Sequence, residues 1–291
     1  MTIQIRQIHP VFVGEVSGVD LRNPLKPDEV AIIENGINEY AVLVFREQDI
    51  NDEQQIAFSE NFGRLETADH KTNITRPEDR RLGKYLADIS NLDRGANILA
   101  GNSRQRMFNL GNRLWHSDSS FRETPAKFSL LSARVVPGRG GQTQYADMRA
   151  GYDALDEALK QEIANLVCEH SLMYSRGRLG FGEFTNQERQ DFKPVRQPLV
   201  RRHPATGRHT LFLSAHAGAI VGWPRPLAII LLEELTEIAT QREFVYSHQW
   251  RPFDLVMWDN RQTMHRARRF DDTVETRDMR RTTIAGDPTP A

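Results

Sequence analysis

The sequence predicts a mostly β protein with flanking helices, arranged as a sandwich or jelly roll. Many short strand-like runs and only a few helical segments occur, without the regular strand–helix alternation that a parallel sheet requires. The chain has 291 residues, of which 39% are hydrophobic and 26% charged, as in ordinary globular proteins. Because all-β domains often exceed about 200 residues, we predict a single domain over residues 1–291.

Strands are predicted from short runs rich in β-branched and aromatic residues, and helices from apolar residues spaced three or four apart. The predicted strands are residues 11–16, 41–45, 128–136, 209–215, 243–250, 254–260 and 280–286. The predicted helices are residues 27–39, 52–63, 153–167 and 227–240. The clearest pattern is that of helix 153–167, where Leu155, Leu159 and Ile163 form one apolar stripe. For helix 52–63 we expect an N-cap at Asn51 or Asp52 and an end at Gly63, in the C′ position.

Residues 66–112 form a long polar segment with weak periodicity, rich in Arg, Asn, Asp and Gly. A connection of this length within a compact domain is usually either functional or disordered. The sequence therefore leaves two alternatives open for this segment, a lid over a site and a mobile surface loop.

The composition argues against several classes of protein. The formal net charge is −1, which gives no global basic field for nucleic acid, although arginines cluster near the C-terminus. The N-terminus does not resemble a secretory signal, and no apolar run approaches the length of a membrane span. Cys168 is the single cysteine, so we expect a buried thiol and no disulfide within the chain. These features predict a protein of the reducing cytoplasm.

The strongest chemical signal is a pair of histidines with one aspartate. His116 and Asp118 lie two positions apart, so on an extended strand both side chains would point to one face. Alone, this triplet is more typical of an exposed turn. His265, after the predicted strand 254–260, completes the two-histidine, one-carboxylate set of non-haem iron(II) oxygenases. Such a site leaves three coordination positions open for a 2-oxo acid and dioxygen.

Two arginines and a threonine are candidates for binding a dicarboxylic cosubstrate and an acidic substrate. Arg277 and Arg281 are four residues apart and would share one face of a strand. A guanidinium forms two parallel hydrogen bonds with a carboxylate, which makes it the best anchor for one. Thr143 follows a Gly-Gly turn, where its hydroxyl could support the same carboxylate. The alternative for the arginines is a solvated basic edge strand.

Taken together, ordered motifs along nearly the whole chain resemble the taurine dioxygenase-like iron(II)/2-oxoglutarate oxygenases. Within that family the sequence is most similar to the 2,4-dichlorophenoxyacetate dioxygenase branch, including its alpha-type relatives. The motifs are GEVSGVDLRNPL, YAVLVFREQDI, DEQQIAFSENFG, LWHSDSSF, LSARVVPGRGGQTQYADMRAGYDAL, ATQREFVY and DLVMWDNRQTMHRARR.

The resemblance implies a double-stranded β-helix, a cupin-like jelly roll, with iron bound near one mouth. Carried over by position, the implied residues are His116, Asp118 and His265 for Fe(II), Thr143 and Arg277 for 2-oxoglutarate, and Arg281, Lys71 and His216 for the substrate. Dioxygen is the second cosubstrate. The implied reaction hydroxylates an aryloxyalkanoate beside its ether oxygen and yields a phenol, glyoxylate, succinate and carbon dioxide.

The sequence also departs from the family pattern and leaves alternatives. Residues 67–113 match the founding herbicide-degrading enzymes poorly. By our count, the segment between His265 and Arg277 is one residue longer than in those enzymes. A sulfonate such as taurine, or another anionic substrate, is therefore an alternative for the same chemistry. A jelly-roll protein that binds metal or ligand without turnover is a second alternative. The expected partners are a small anionic aromatic substrate and further copies of the chain, in a dimer or tetramer.

Overall fold

A computed structural model describes residues 2–67 and 73–287 of the chain. The strands are β1 Gln4–Gln7, β2 Gly14–Ser17, β3 Val42–Phe45, β4 Ala87–Asp88, β5 Ala126–Val135, β6 Thr143–Asp147, β7 Val167–His170, β8 Val195–Pro198, β9 Val200–Arg202, β10 His209–Leu211, β11 Ala217–Ile220, β12 Val245–His248, β13 Leu255–Asp259, β14 Thr263–Ala267 and β15 Asp278–Ala285. The helices are α1 Pro27–Tyr40, α2 Asp52–Glu60, α3 Arg104–Asn109, α4 Met148–Asp153, α5 Glu157–Ile163, α6 Leu172–Gly177, α7 Asn186–Asp191 and α8 Arg225–Ala239. Short 3-10 turns cover Pro77–Asp79, Leu110–Arg113 and Arg242–Phe244.

The strands form one large sheet and three small ones. The large sheet has the order β1-β2-β3-β13-β5-β15-β4, and its pairs are antiparallel except for β2 with β3. The small sheets are β12-β6-β14, β11-β7-β8 and β10-β9. This mostly antiparallel architecture, with helices outside, agrees with the sandwich or jelly roll predicted from the sequence.

The side chains of central strands point alternately into two different cores. On β3, Val42 and Val44 lie in a cluster with Tyr145 of β6, between the large sheet and the β12-β6-β14 sheet. Leu43 and Phe45 lie in another cluster, with residues of α1 and α2 on the outer face of the large sheet. Because both faces are covered, these strands are continuous apolar runs, which is why they were predictable from sequence.

The second sheet is covered in the same way. Ala146 of β6 and Met264 of β14 pack with residues of α8, such as Leu235, in an outer cluster. Their strand neighbours Tyr145 and His265 point the other way, into the interior between the sheets. The fold therefore places the odd-numbered residues of these strands at an internal site.

The structure confirms most of the predicted strands and three of the predicted helices, with bounds shifted by a few residues. These helices are 27–39, 52–63 and 227–240. The prediction of one continuous helix over 153–167 is wrong. Helix α4 ends at Asp153, and a separate helix, α5, begins after Asp156, whose side chain caps it. Gly63 does not hold the C′ position, since α2 ends earlier at an Asn61 C-cap. The strand expected over 11–16 is shifted to β2, and the strand over 209–215 is limited to its first three residues.

Within the polar segment 66–112, the described residues 73–112 do not form a featureless loop. They include β4 and α3, and β4 pairs with β15 at the edge of the large sheet. Leu86, Leu92 and Phe108 are buried. Hydrophobic burial therefore fixes parts of a segment whose overall composition is polar.

Cys168 lies on β7 and is buried, as predicted, and burial raises the pKa of its thiol to about 12. Among the described residues, no helix has the length and apolar character needed to cross a membrane.

Candidate metal centre and substrate cavity

Two backbone segments bring the predicted metal ligands together. His265 lies on β14, and its backbone exchanges two hydrogen bonds with His116, with N···O distances of 3.0 and 2.8 Å. The sequence predicts an extended strand through His116 and Asp118, but only His116 forms a β-bridge, and Asp118 already lies in a turn. The turn nevertheless directs the carboxylate of Asp118 toward both imidazoles, so the convergence predicted from sequence holds.

The spacing of the three side chains suits a shared ion. One ligand atom from each of His116, Asp118 and His265 lies within 4.8 Å of the other two. The Nε2 atom of His116 is 3.9 Å from Asp118 Oδ1, and that of His265 is 3.7 Å from Asp118 Oδ2. These separations are too long for hydrogen bonds, whereas an ion held by all three atoms would bridge them. All three residues are buried.

Both imidazoles are kept in the neutral form that a metal ligand needs. Burial lowers the pKa of His116, and it lowers the pKa of His265 well below the ordinary value of a histidine. The Nδ1 atom of His116 lies 2.8 Å from the carbonyl oxygen of Leu114. A proton on Nδ1 would be donated to this carbonyl, which leaves the Nε2 lone pair free for a metal.

A buried hydrogen-bond network holds the Asp118 carboxylate. Ser129 Oγ donates to Asp118 Oδ2 at 2.8 Å, and the Asn260 side chain donates to Ser129 Oγ at 2.9 Å. Asn260 also accepts from the Asp118 backbone N–H and from the Trp258 indole, each at 3.0 Å. Sequence reasoning missed Ser129 and Asn260, because only the pairing of β5 with β13 brings them beside the aspartate.

Arg281 lies beside the same carboxylate. Its guanidinium donates to Asp118 Oδ1 in an ion pair whose partners have side-chain exposures of 20% and 5%. Burial alone would raise the pKa of Asp118, but the charge of Arg281, followed by the effects of His265 and His116, lowers it to about 2. Asp118 is therefore ionised and ready to bind a cation. The sequence predicts that Arg281 binds the substrate. In the structure, one of its N–H groups already donates to Asp118.

Thr143 and Arg277 meet at Tyr145, deeper in the interior. Thr143 and Tyr145 are alternate residues of β6, and Tyr145 pairs with His265 across the strands. Burial raises the pKa of the Tyr145 phenol well above its ordinary value, and the charge of Arg277 and the side chain of Thr143 oppose this rise. Both residues therefore influence the phenol, although its hydroxyl forms no hydrogen bond among the described residues. Sequence reasoning did not identify Tyr145.

The side chains of Arg277 and Thr143 are suited to an anionic ligand. Arg277 is 5% exposed, and one of its N–H groups donates to the Ile89 carbonyl at 3.2 Å. Among the described residues no carboxylate forms an ion pair with it, and burial lowers its pKa to about 10. The Thr143 hydroxyl accepts from the Trp250 indole at 3.0 Å, so its own proton remains available to a ligand oxygen. Buried donors without acceptors fit a carboxylate ligand.

A cavity opens in front of the triad and carries the other predicted residues. It is lined by His116, Asp118, Arg281, Arg176, Asn112 and His216, with an apolar wall of Leu82, Tyr85, Leu86, Phe108, Phe121 and Leu172. His216 is buried, with its ring 6.2 Å from that of His116 and 4.8 Å from that of Phe121, so it reaches the place predicted for it. Lys71 falls outside the described residues.

Comparison with known proteins decides the family. Residues 4–283 match the model of the "Taurine catabolism dioxygenase TauD, TfdA family". The chain belongs to this family. The family and the dioxygenase class predicted from the sequence are thereby confirmed. Enzymes of this class use Fe(II), 2-oxoglutarate and dioxygen, and the His-Asp-His set found here is the ligand set that such enzymes need.

Curated relatives within the TauD, TfdA family match along almost their whole length. The chain is 46% identical over 286 residues to the alpha-ketoglutarate-dependent 2,4-dichlorophenoxyacetate dioxygenase of Burkholderia sp. (strain RASC), covering 98% of this chain and 95% of the relative. It is 45% identical over 287 residues to the enzyme of the same name from Cupriavidus pinatubonensis, covering 99% of each chain.

Solved structures of relatives confirm the jelly-roll fold. A crystal structure of AAD-2 in complex with Mn(II) and N-oxalylglycine superposes with a TM-score of 0.97 at 59% identity, covering 100% of both chains. A putative alpha-ketoglutarate-dependent 2,4-D dioxygenase from Burkholderia xenovorans superposes with a TM-score of 0.84 at 39% identity, again covering 100% of both chains.

Proposed function

We propose that this TauD, TfdA family member is an Fe(II)- and 2-oxoglutarate-dependent dioxygenase that hydroxylates an aryloxyalkanoate beside its ether oxygen. The observation that carries the proposal is the buried His116, Asp118 and His265 set opening into a cavity with an apolar, partly aromatic wall. The 2,4-dichlorophenoxyacetate dioxygenases, at 45–46% identity, support the same substrate class.

In this proposal each polar group of the site has a separate role. His116, Asp118 and His265 hold Fe(II), which with 2-oxoglutarate and dioxygen supplies the oxidant for a C–H bond. Arg277 and the Thr143 hydroxyl bind the distal carboxylate of 2-oxoglutarate, for which their free donors are suited.

The substrate enters the cavity in front of the triad. The N–H groups of Arg281 that Asp118 does not use bind the substrate carboxylate, which sets the neighbouring carbon close to the metal ligands. His216, neutral because burial lowers its pKa well below the ordinary value, borders the same space, and Lys71 is proposed to do so as well.

The overall reaction follows from where oxygen is inserted. One oxygen atom of dioxygen enters succinate as 2-oxoglutarate loses carbon dioxide, and the other enters the substrate carbon beside the ether oxygen. The resulting hemiacetal collapses to a phenol and glyoxylate. Exclusion of water by the buried site protects this chemistry, since all three ligand residues are at most 7% exposed.

The test is reconstitution with Fe(II) and 2-oxoglutarate under anaerobic conditions, followed by air and a panel of phenoxyacetates, phenoxypropionates and taurine. We expect succinate and a phenol to form together with at least one aryloxy acid. Succinate formation with no phenol from any aryloxy acid would contradict the proposed substrate class but keep the reaction type.

A sulfonate or sulfate ester is the second candidate substrate class. The guanidinium of Arg281 can bind a sulfonate as well as a carboxylate. An alkylsulfatase of Acinetobacter baylyi is 28% identical over 305 residues, covering 99% of this chain and 86% of the relative. The higher identity to the aryloxyalkanoate enzymes favours the first candidate, and the taurine arm of the panel separates the two.

We also propose that residues 1–291 form one catalytic domain and that the segment 66–112 acts as a lid, because residues 73–112 supply part of the cavity wall. A cytoplasmic location and a homodimer or homotetramer are proposed as well. Size-exclusion chromatography with light scattering would measure the oligomeric state.

A further inference from the structure

Besides Arg281, the cavity is lined by a buried arginine that neither the triad nor 2-oxoglutarate binding uses. Arg176 lies on α6 and is 6% exposed. Among the described residues no carboxylate forms an ion pair with it, in contrast to Arg281, which is paired with Asp118. Burial lowers the pKa of Arg176 to about 10, so it is still charged at neutral pH. A buried charge without a counter-ion is costly for the folded protein.

The surroundings of Arg176 leave the edge of its guanidinium for a ligand. A Cβ atom added to Gly111 would lie 2.3 Å from Cζ, 2.3 Å from Nη1 and 2.4 Å from Nε, which is possible only above the plane of the group. The ring of Phe108 also packs against the guanidinium, with 4.4 Å from Cζ to the ring centroid. Gly111 and Phe108 therefore pack against the guanidinium, and its in-plane N–H donors are the part of the group left for a ligand.

Those donors are poorly satisfied within the protein. The buried Nε atom has no hydrogen-bond partner. Nη1 donates to Ser175 Oγ at 3.2 Å, and Nη2 donates to Asn112 Oδ1 at 3.4 Å, which is long for a hydrogen bond. Arg176 and Asn112 both line the cavity in front of the triad. An acceptor on a bound molecule would complete the weak hydrogen bonding of the two Nη atoms, whereas Nε is buried.

The position of Arg176 differs from that of Arg281. Arg281 contacts the metal-ligand carboxylate, whereas Arg176 lies among Phe108, Leu172 and the other apolar residues of the cavity wall. If the substrate carboxylate binds at Arg281, the aryl ring occupies the apolar part. Arg176 then faces a substituent of that ring.

We propose that Arg176 binds a second anionic group of the substrate, so that this site takes an aryloxy acid whose ring carries another acidic group. This inference rests on the proposed function and adds the class of substrate that the cavity selects. An ion pair between a buried guanidinium and a carboxylate is strong enough to dominate the preference between two otherwise similar ligands.

The test compares phenoxyacetate with the three isomers of carboxyphenoxyacetate, bound anaerobically to the enzyme loaded with Fe(II) and 2-oxoglutarate. Isothermal titration gives the Kd of each ligand. We expect the wild-type protein to bind at least one diacid about tenfold or more tightly than phenoxyacetate, and Arg176→Met to reduce this ratio about 10- to 100-fold.

Arg201→Met is the matched control. Arg201 also packs on a phenylalanine, with 3.4 Å from its Cζ atom to the centroid of the Phe212 ring, and its Nε atom also lacks a partner. Unlike Arg176, it does not line this cavity. The substitution should leave the ratio unchanged. If Arg176→Met does not fold, Gly111→Ala displaces the guanidinium with the arginine retained and should lower the same ratio.

Two results would overturn the inference, namely a wild-type preference for phenoxyacetate over every diacid, or an equal loss of affinity for both ligands in Arg176→Met. Failure of the proposed function has a different signature. In that case no phenol forms from any aryloxy acid in air, whatever the ratio of the dissociation constants.

Discussion

Two arginines on different walls of the cavity, Arg281 and Arg176, differ in whether they have a counter-ion among the described residues. On the strand side, Asp118 accepts from Ser129 and Arg281, and the adjoining Asn260 uses both its donor and its acceptor. On the side of α6 and the segment 73–112, Arg176 is charged and buried without a counter-ion among the described residues.

This difference indicates that the two walls have different roles. The Asp118 carboxylate, which must be held in a fixed position to bind a metal, is supported by Ser129 of β5 and Arg281 of β15, and its backbone N–H donates to Asn260. Groups that await a ligand retain unused donors, and the ligand completes them. The strands and the turn at Asp118 therefore support the metal ligands, whereas Arg176 of α6 retains unused donors for a substrate.

The largest effect is expected on the strand wall, from His265→Ala. Loss of one of three protein ligands should lower Fe(II) affinity and reduce turnover at least about a thousandfold, while the fold is retained. Succinate formation, Fe(II) titration and circular dichroism measure the three properties. His209→Ala, at an exposed histidine, is the control and should behave as wild type. Full activity of His265→Ala would refute the metal site.

The second prediction concerns the turn between β13 and β14, which carries Asn260 and leads to His265. Burial would raise the pKa of Asp259, but the charge of Arg261 and the hydrogen bond to His203 lower it below its ordinary value. Asp259→Asn should reduce the free energy of unfolding by about 3–5 kcal/mol at neutral pH, because it leaves a buried charge unpaired. Urea denaturation measures this loss.

The pH dependence of that loss has a defined sign. A carboxylate with a lowered pKa in the folded state stabilises the fold above its unfolded pKa, about 4, and loses this contribution as the pH falls toward the folded value. The difference between wild type and Asp259→Asn should therefore shrink below about pH 4. A difference that is constant with pH would contradict the ion-pair explanation. Asp20→Asn, in an exposed pair, is the control and should have little effect.

The third prediction separates cosubstrate from substrate binding. Arg277→Met should raise the KM for 2-oxoglutarate about 10- to 100-fold, since a charge-assisted double hydrogen bond is lost. The KM for the aryloxy acid should change much less. Steady-state kinetics with each reactant varied in turn measures both values. A larger change for the aryloxy acid would reverse the roles given to Arg277 and Arg281.

The smallest effect is expected from Ser129→Ala, which removes one hydrogen bond to the Asp118 carboxylate. Outer hydrogen bonds of this kind typically change metal affinity about tenfold. Fe(II) or Mn(II) titration should show this weakening with no loss of folded protein. Ser132→Ala, which removes the bond to Gln55 on the neighbouring part of β5, is the control and should leave metal affinity unchanged.

The sequence predicts the strand wall better than the other wall, and the reason is physical. The apolar runs of β3 and β13 mark strands that are buried on both faces, and the three metal ligands are recognisable by residue type. Contacts such as Asn260 with Asp118, or Arg176 with Gly111, join segments distant in sequence. They depend on strand register and loop packing, which local patterns do not encode.

The helix over 153–167 shows the same limit on a local scale. Its apolar stripe is real, since Leu155 and Ile163 are both buried. The pattern does not reveal the break, because Asp156 is as compatible with a helix surface as with the N-cap that it forms.

The most direct test of the central claim is the ratio of phenol to succinate formed by the wild-type enzyme with Fe(II), 2-oxoglutarate, air and a phenoxyacetate. We expect the two products in a ratio close to one and little succinate without the aryloxy acid. Succinate formed at the same rate with and without the aryloxy acid, and no phenol, would contradict the account.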